Sequence, residues 1–228
     1  MEGTPPTPPG AASPAPPRPP VAGLLLAAGG GRRLGGRPKA LLPYRGRPLV
    51  EHAARVLRAG GCGPVHVVLG AAAHEVRERA ALPGCVLVGN PRWAEGMGSS
   101  LRAGLDSLAG TDARAALVLL VDQPGIGAAA VARVVAAYRD ANADADSLVS
   151  ASYGGRRGHP VLFGAGHWAG IAAAAHGDRG ARGYLGAREG EITPVECGDV
   201  AEAFDIDTEE DLWRLDPPSG PPSTSTKH

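Results

Sequence analysis

The uncharged run from Val21 to Leu26, followed at once by Ala27, Ala28 and the glycines Gly29, Gly30 and Gly31, most constrains what this chain can fold into. A segment that is apolar at every position, without alternation, suits a strand covered on both faces, as in a parallel sheet between two helix layers. The loop that follows lies at the carboxyl edge of that strand, where open α/β sheets bind ligands. Its glycines remove side chains, so successive backbone N–H groups can turn inward on an anion, and Arg32, Arg33, Arg37 and Lys39 add positive charge. This is the make-up of a phosphate-binding loop.

Two common phosphate loops fail against it. A dinucleotide fingerprint starting at Gly29 needs Gly or Ala where Leu34 stands, and no acidic residue closes a second strand at the required distance, since Glu51 falls in a helical pattern. A Walker A loop starting at Gly31 has Gly36 in place. It has Arg37 and Pro38 where Lys and Ser/Thr are required, and Pro38 opposes the helix that must follow.

Beyond the loop the chain alternates. Leu49, Val50, Ala53, Val56 and Leu57 are spaced for a helix ending at Gly60-Gly61. Strands are expected over Pro64 to Gly70 and Cys85 to Val88, with a helix over His74 to Ala80 between them. His66 within its strand reads as a packed residue. Ser99 or Ser100 can cap a helix over Leu101 to Leu108. Ala115 to Val121 is the most apolar strand, and a helix is expected over Ala128 to Tyr138. Ser147 to Ser152 and His159 to Phe163 are strands around the segment Tyr153-Gly154-Gly155-Arg156-Arg157-Gly158, His167 to His176 is a helix, and Ile192 to Val195 a late strand. The alternation predicts an α/β fold: a doubly wound, mostly parallel sheet with helices on both faces.

Composition narrows the partners. The 228 residues carry 23 basic and 23 acidic side chains, so no basic surplus points to nucleic acid. The 3 cysteines, Cys62, Cys85 and Cys197, form no C-x-x-C, which indicates neither a disulfide framework nor a zinc site and suits a reducing cytoplasm. No apolar run is long enough to cross a bilayer, and the N-terminus lacks the basic and apolar regions of an export signal. Residues 1–20 and 216–228 are rich in Pro and Ser and are expected as disordered tails around a domain at 21–215. A proline-rich ligand for an SH3-like module is the sharper reading of the first.

The stretch Leu26-Ala27-Ala28-Gly29-Gly30-Gly31-Arg32-Arg33-Leu34-Gly35-Gly36-Arg37-Pro38-Lys39-Ala40-Leu41-Leu42-Pro43 resembles the signature L-A-A-G-x-S-x-R-M-G-x-x-K-x-L-L-P of the MobA-like NTP transferases. Gly31 replaces the usual Ser and Leu34 the usual Met. Later segments are similar to the molybdopterin-handling members: Asn90, Trp93, Gly96, Met97, Ser100 and Leu101 match N-x-x-W-x-x-G-M-x-x-S-L, and Asp122-Gln123-Pro124 matches L-x-D-Q-P. Gly158-His159-Pro160 through Phe163 matches G-H-P-V-L-F, Gly177-Asp178-Arg179-Gly180-Ala181-Arg182 matches G-D-x-G-A-R, and Asp205-Ile206-Asp207-Thr208 matches D-I-D-T, with Glu209 for the usual Pro. The molybdenum cofactor cytidylyltransferases resemble it most.

The resemblance implies a nucleotidyltransferase of nucleotide-diphospho-sugar transferase-like fold that moves a nucleoside monophosphate, from CTP, to a phosphorylated acceptor, molybdopterin, and releases pyrophosphate. A molybdoenzyme or its chaperone would stand downstream. It implies nucleotide binding by Leu26, Ala27, Ala28, Gly29, Gly30, Gly31, Gly35 and Gly96, with Arg33 and Lys39 as the catalytic cations. Asp122 and Asp207 would hold Mg²⁺, a cation that prefers few protein oxygens and keeps room for phosphates. Ser99, Ser100, His159, Arg179 and Arg182 would face the acceptor. A dianionic phosphate acceptor needs no general base, which accounts for the lack of a Ser-His-Asp or Cys-His set. Other readings stay open from residues alone: Asp122 as a helix cap, Trp93 as packing, His159 as a structural side chain beside a proline turn, and the two arginines as solvated surface. A sugar phosphate or methylerythritol phosphate is the alternative acceptor, and a non-catalytic nucleotide-binding or cofactor-delivery module the alternative class.

Overall fold

The computed structural model describes residues 20–215, so the expected tails, apart from Pro20, lie outside the described residues. Its centre is a seven-stranded sheet. In chain order the elements are β1 (Val21–Ala27), the short β2 (Pro43–Tyr44) and β3 (Arg47–Pro48), α1 (Leu49–Ala59), β4 (Val65–Leu69), α2 (Ala73–Arg79), β5 (Cys85–Gly89) and α3 (Met97–Asp106). Then follow β6 (Ala115–Leu120), α4 (Ala128–Asp140), β7 (Leu148–Tyr153), β8 (Arg156–Gly164), α5 (Trp168–Ala174), α6 (Arg182–Gly186), β9 (Ile192–Glu196) and a final 3₁₀ segment Glu209–Leu215. The strand order is β5-β4-β1-β6-β8-β7-β9. Only β8 runs against its neighbours β6 and β7; the other pairings are parallel.

The unbroken apolar character of β1 is explained by what covers it. Val21, Leu25 and Ala27 join the core beneath α1 and α4, whereas Ala22, Leu24 and Leu26 join the core beneath α3 and α5. Leu24 and Leu25 are both fully buried, each contributing about 1.5–3 kcal/mol by removal from water. Gly104 of α3 lets that helix approach: a Cβ there would lie 2.5 Å from the Leu24 side chain. On the opposite layer a Cβ on Gly60, at the end of α1, would lie 2.3 Å from Val131 of α4.

Two elements differ from expectation for local reasons. The helix expected from Leu101 begins at Met97, because Gly96 supplies the non-helical entry at φ 100°. The expected serine cap is therefore replaced by a glycine one. The strand expected from His159 begins at Arg156, since Gly154 and Gly155, with φ of 58° and 80°, form a two-residue hairpin turn pairing Tyr153 with Arg156. Arg156 and Arg157 thus stand on a strand and not in a loop. Among the described residues no helix is long and apolar enough to cross a membrane.

Candidate active site

The loop after β1 is held open by its own backbone. The carbonyl of Gly31 accepts N–H groups from Leu34 and Gly36, at 2.8 and 3.0 Å. Gly31 adopts φ 60°, and a Cβ on it would fall 1.8 Å from the carbonyl oxygen of Arg37. The serine usual at this place in the resembled signature has no room in this backbone. Leu34, which replaces the usual Met, is fully buried and pins the loop to the core. Beside it the Trp93 ring lies against Gly30, where a Cβ would be 3.2 Å from the indole.

Lys39 follows Pro38 on a 3₁₀ turn, Lys39–Leu41. Its ammonium donates to Asp122 Oδ2 at 2.7 Å and to Asp207 Oδ1 at 2.5 Å. Asp122 leaves the end of β6, and Asp207 arrives from the far end of the chain on a segment laid across that strand end. Ile206, fully buried, anchors this segment, with its N–H donating to the Asp122 carbonyl at 2.9 Å. A Cβ on Gly125 would lie 2.4 Å from the Glu202 carbonyl, so the two segments pack backbone to backbone. Beyond it, Asp211 Oδ2 accepts from the N–H groups of Asp207 and Thr208 and from the Thr208 hydroxyl. That is the carboxylate half of a capping box. Arg33 reaches Asp207 at 3.5 Å and Arg37 reaches Glu209 at 2.7 Å, so the glycine loop is also tied to this segment.

The electrostatics follow from burial. Lys39 is 15% exposed at its side chain and Asp122 20%. Burial alone would lower the Lys39 ammonium, but Asp122 and Asp207 together hold it above its ordinary value. Burial pushes the Asp122 carboxyl up, against the pull of Lys39, and the nearby Asp205 adds to the rise. A carboxylate so placed gains from any further cation. His159 is pushed down to about 4 by burial, so it is neutral at pH 7.

Two adjoining cavities meet here. The first, about 580 Å³, is lined by Leu26, Ala28, Gly29, Gly30, Gly31, Arg33, Lys39, Gly96, Ser100, Asp122 and Asp207 among the expected residues. The second, about 510 Å³, shares Leu26 and takes in Arg179. His159 and Arg182 line both. Three expected residues stand apart. Ala27 points into the core beneath α1, because alternation along β1 sends it away from the cleft. Gly35 lines neither cavity and lies toward Glu209. Ser99 is buried, with Asn90 Nδ2 donating to its hydroxyl at 2.9 Å while that hydroxyl donates to the Arg92 carbonyl at 2.8 Å, so it holds the loop and does not face an acceptor.

Sequence reasoning missed Gln123, Asp178, Asp205, Arg156 and Arg157. Gln123 Nε2 donates to Asp205 Oδ1 at 2.7 Å, and both side chains line both cavities. The signal for Asp205 was present: an extended segment with Ile206 pointing into the core places the residues on either side of it toward the cleft together.

The fit to a divalent cation can be tested on the donor set. Among the described residues no cluster of three His, Cys, Asp or Glu side chains is close enough to cage a metal. Two carboxylates from distant parts of the chain nevertheless converge on one cation, the Lys39 ammonium. Two protein oxygens with space beside them suit Mg²⁺ or Mn²⁺ completed by water and phosphate.

Comparison with known proteins identifies the family. A model of the MobA-like NTP transferase domain matches residues 23–192. The nicotine blue oxidoreductase of Paenarthrobacter nicotinovorans is 44% identical over 86% of this chain and 96% of its own. A probable molybdenum cofactor guanylyltransferase of Opitutus terrae is 39% identical over 48% of this chain and 51% of its own length. The crystal structure of Rv0371c from Mycobacterium tuberculosis in complex with manganese superposes with a TM-score of 0.70 at 28% identity, over 86% of this chain and 97% of that one. On the glycine loop, the sheet order and these matches, the chain belongs to the MobA-like NTP transferase family and is a nucleotidyltransferase by class.

Proposed function

We propose that this protein transfers a nucleoside monophosphate, CMP from CTP, to the phosphate of molybdopterin with release of pyrophosphate. The observation that carries the reading is the convergence of Asp122 and Asp207 on one cation beside the glycine loop. A triphosphate lying on Gly29 to Gly31 would meet Arg33 and Lys39 as charge partners, and positioning with electrostatics supplies the rate in phosphoryl transfer. Asp122 and Asp207 would hold Mg²⁺, which supplies charge neutralisation at the α-phosphate and the leaving pyrophosphate. Lys39, on a short turn fixed by Pro38, would orient the same phosphate.

Charge balance supports placing the acceptor in the second cavity. The first cavity is lined by Arg32, Arg33, Lys39 and Arg182 against Asp122, Asp178, Asp205 and Asp207. The second has Arg156, Arg157, Arg179 and Arg182 against Asp205 alone, over an apolar floor that includes Val118, Val161 and Phe163. Such a pocket favours a phosphorylated acceptor that lays a flat ring face on that floor, as a pterin phosphate can, over a sugar phosphate whose hydroxyls would find few partners there. Neutral His159, between the cavities, can donate one hydrogen bond but carries no charge to the acceptor.

The test is pyrophosphate release from CTP, GTP, ATP and UTP against molybdopterin, a sugar phosphate and methylerythritol phosphate. Release with CTP and molybdopterin, lost in Asp122→Ala, is the expected result. Release only with GTP would move the base assignment toward the one named for the Opitutus relative. The 44% identity to an oxidoreductase favours one second reading, electron transfer to an apolar heterocycle in the second cavity. Reduction of nicotine blue by the protein with an added two-electron reductant, with no pyrophosphate released from any triphosphate, would establish it and overturn the first.

A further inference from the structure

We infer that Lys39 is the resting counter-ion of the metal position: its ammonium occupies the point between Asp122 and Asp207 until a triphosphate draws it away, so that divalent cation and nucleotide bind as a coupled pair. The inference rests on the reading of Asp122 and Asp207 as metal-holding carboxylates.

The ammonium and a divalent ion cannot share the two oxygens that Lys39 holds. Lys39 Nζ is 2.7 Å from Asp122 Oδ2 and 2.5 Å from Asp207 Oδ1. Mg²⁺ takes its oxygens at about 2.0–2.1 Å, so an ion bridging the same two oxygens would overlap the ammonium. Without a cation between them the two carboxylates would repel, and Asp205, held by Gln123, adds a third negative charge nearby. The Lys39 ammonium satisfies this arrangement and ties the segment carrying Asp207 to the end of β6.

Displacing Lys39 leaves a largely buried ammonium in need of an anion. Of the carboxylates lining the first cavity, Asp122 and Asp207 would be taken by the metal, Asp205 accepts from Gln123, and Asp178 stands beside Gly96 and makes no ion pair with Lys39. The incoming triphosphate, lying on the adjacent glycine loop, supplies that anion. Metal alone must therefore pay for stranding Lys39, whereas metal with nucleotide does not. Linkage makes the effect reciprocal: what the nucleotide adds to metal affinity, the metal adds to nucleotide affinity.

The experiment is a Mn²⁺ titration of the full chain without any nucleotide, followed by water-proton relaxation or by the electron paramagnetic resonance of free Mn²⁺. Wild type is expected to bind Mn²⁺ weakly. Lys39→Met should bind at least about tenfold more tightly, and Lys39→Arg, which keeps the charge, should remain weak. Adding Asp207→Asn to Lys39→Met should abolish the gain, which ties it to this position. Tight Mn²⁺ binding by nucleotide-free wild type, or no gain in a folded Lys39→Met, overturns the inference. If Lys39→Met does not fold, the wild-type titration and the stabilisation of wild type by Mn²⁺ with inorganic triphosphate, set against the sum of the stabilisations by each alone, decide it: additive stabilisation refutes it. Because the titration uses neither triphosphate nor acceptor, a failure of the pyrophosphate screen leaves its result standing, and the two readings fail separately.

Discussion

Replacing Gly31 by the serine usual at its place is expected to damage this protein, although the signature as a whole allows that residue. Gly31 sits at φ 60°, and a Cβ would lie 1.8 Å from the Arg37 carbonyl oxygen. The left-handed backbone costs a non-glycine residue about 1–2 kcal/mol. Pushing a backbone carbonyl aside adds the cost of overpacking, about 1–3 kcal/mol. The sum of about 2–5 kcal/mol is a large share of a typical domain's stability and corresponds to a fall in Tm of about 5–15 °C. If the loop yields locally instead, the cost moves into function, because N–H groups aimed at phosphate are turned away. A lost hydrogen bond to a charged group is worth about 1.5–3 kcal/mol, which raises KM for the nucleotide at least about tenfold. Gly36→Ser is the control: φ there is 81° but nothing lies within 4 Å of a Cβ, so only the conformational cost applies. Thermal unfolding and triphosphate kinetics on both variants settle it. Gly31→Ser matching wild type in Tm and KM, or matching Gly36→Ser, would refute the steric reasoning.

Other outcomes follow from the same coordinates. Asp122→Ala should reduce turnover at least about a hundredfold in the pyrophosphate assay, as expected where a bound cation supplies several kcal/mol. His159 titrates near 4 in the folded chain against an ordinary 6.5, so its contribution to stability is complete above the ordinary value and is lost as pH falls toward 4. Denaturant melts between pH 7 and 4 should show a shallower decline in His159→Gln, and parallel declines would contradict the burial argument. Cys62, pushed up to about 12 by burial, should resist thiol reagents at pH 8 until the chain unfolds, and rapid native labelling at that residue would count against the packing described. Arg157→Ala should raise KM for the acceptor while leaving KM for the triphosphate unchanged; a change confined to the triphosphate would remove Arg157 from the acceptor side.

The sheet was legible because its signal is strong and local. Val21 to Leu26 and Ala115 to Val121 carry no polar residue, and only a doubly covered strand accommodates that. The pairing of Asp122 with Asp207 came from a resemblance, since nothing in the spacing of residues 85 apart states that they meet. What stayed hidden was decided by single residues acting at a distance. Ser99 has the look of a cap, but Gly96 entered the helix first and Asn90 turned the hydroxyl inward. Arg156 and Arg157 read as a loop, because a Gly-Gly turn with both φ positive is what brings them onto a paired strand. Asp205 was legible as the neighbour of Ile206, but its bond to Gln123, 82 residues away, was not.

The segment that brings Asp207 lies beyond residue 192, where the family match stops. The strands from β1 to β9 are complete before it appears. Loss of the segment after β9 would take the buried Ile206 and Leu215 out of the core together with Asp207 out of the cleft, so a chain clipped there is expected to lose stability and the second carboxylate at once.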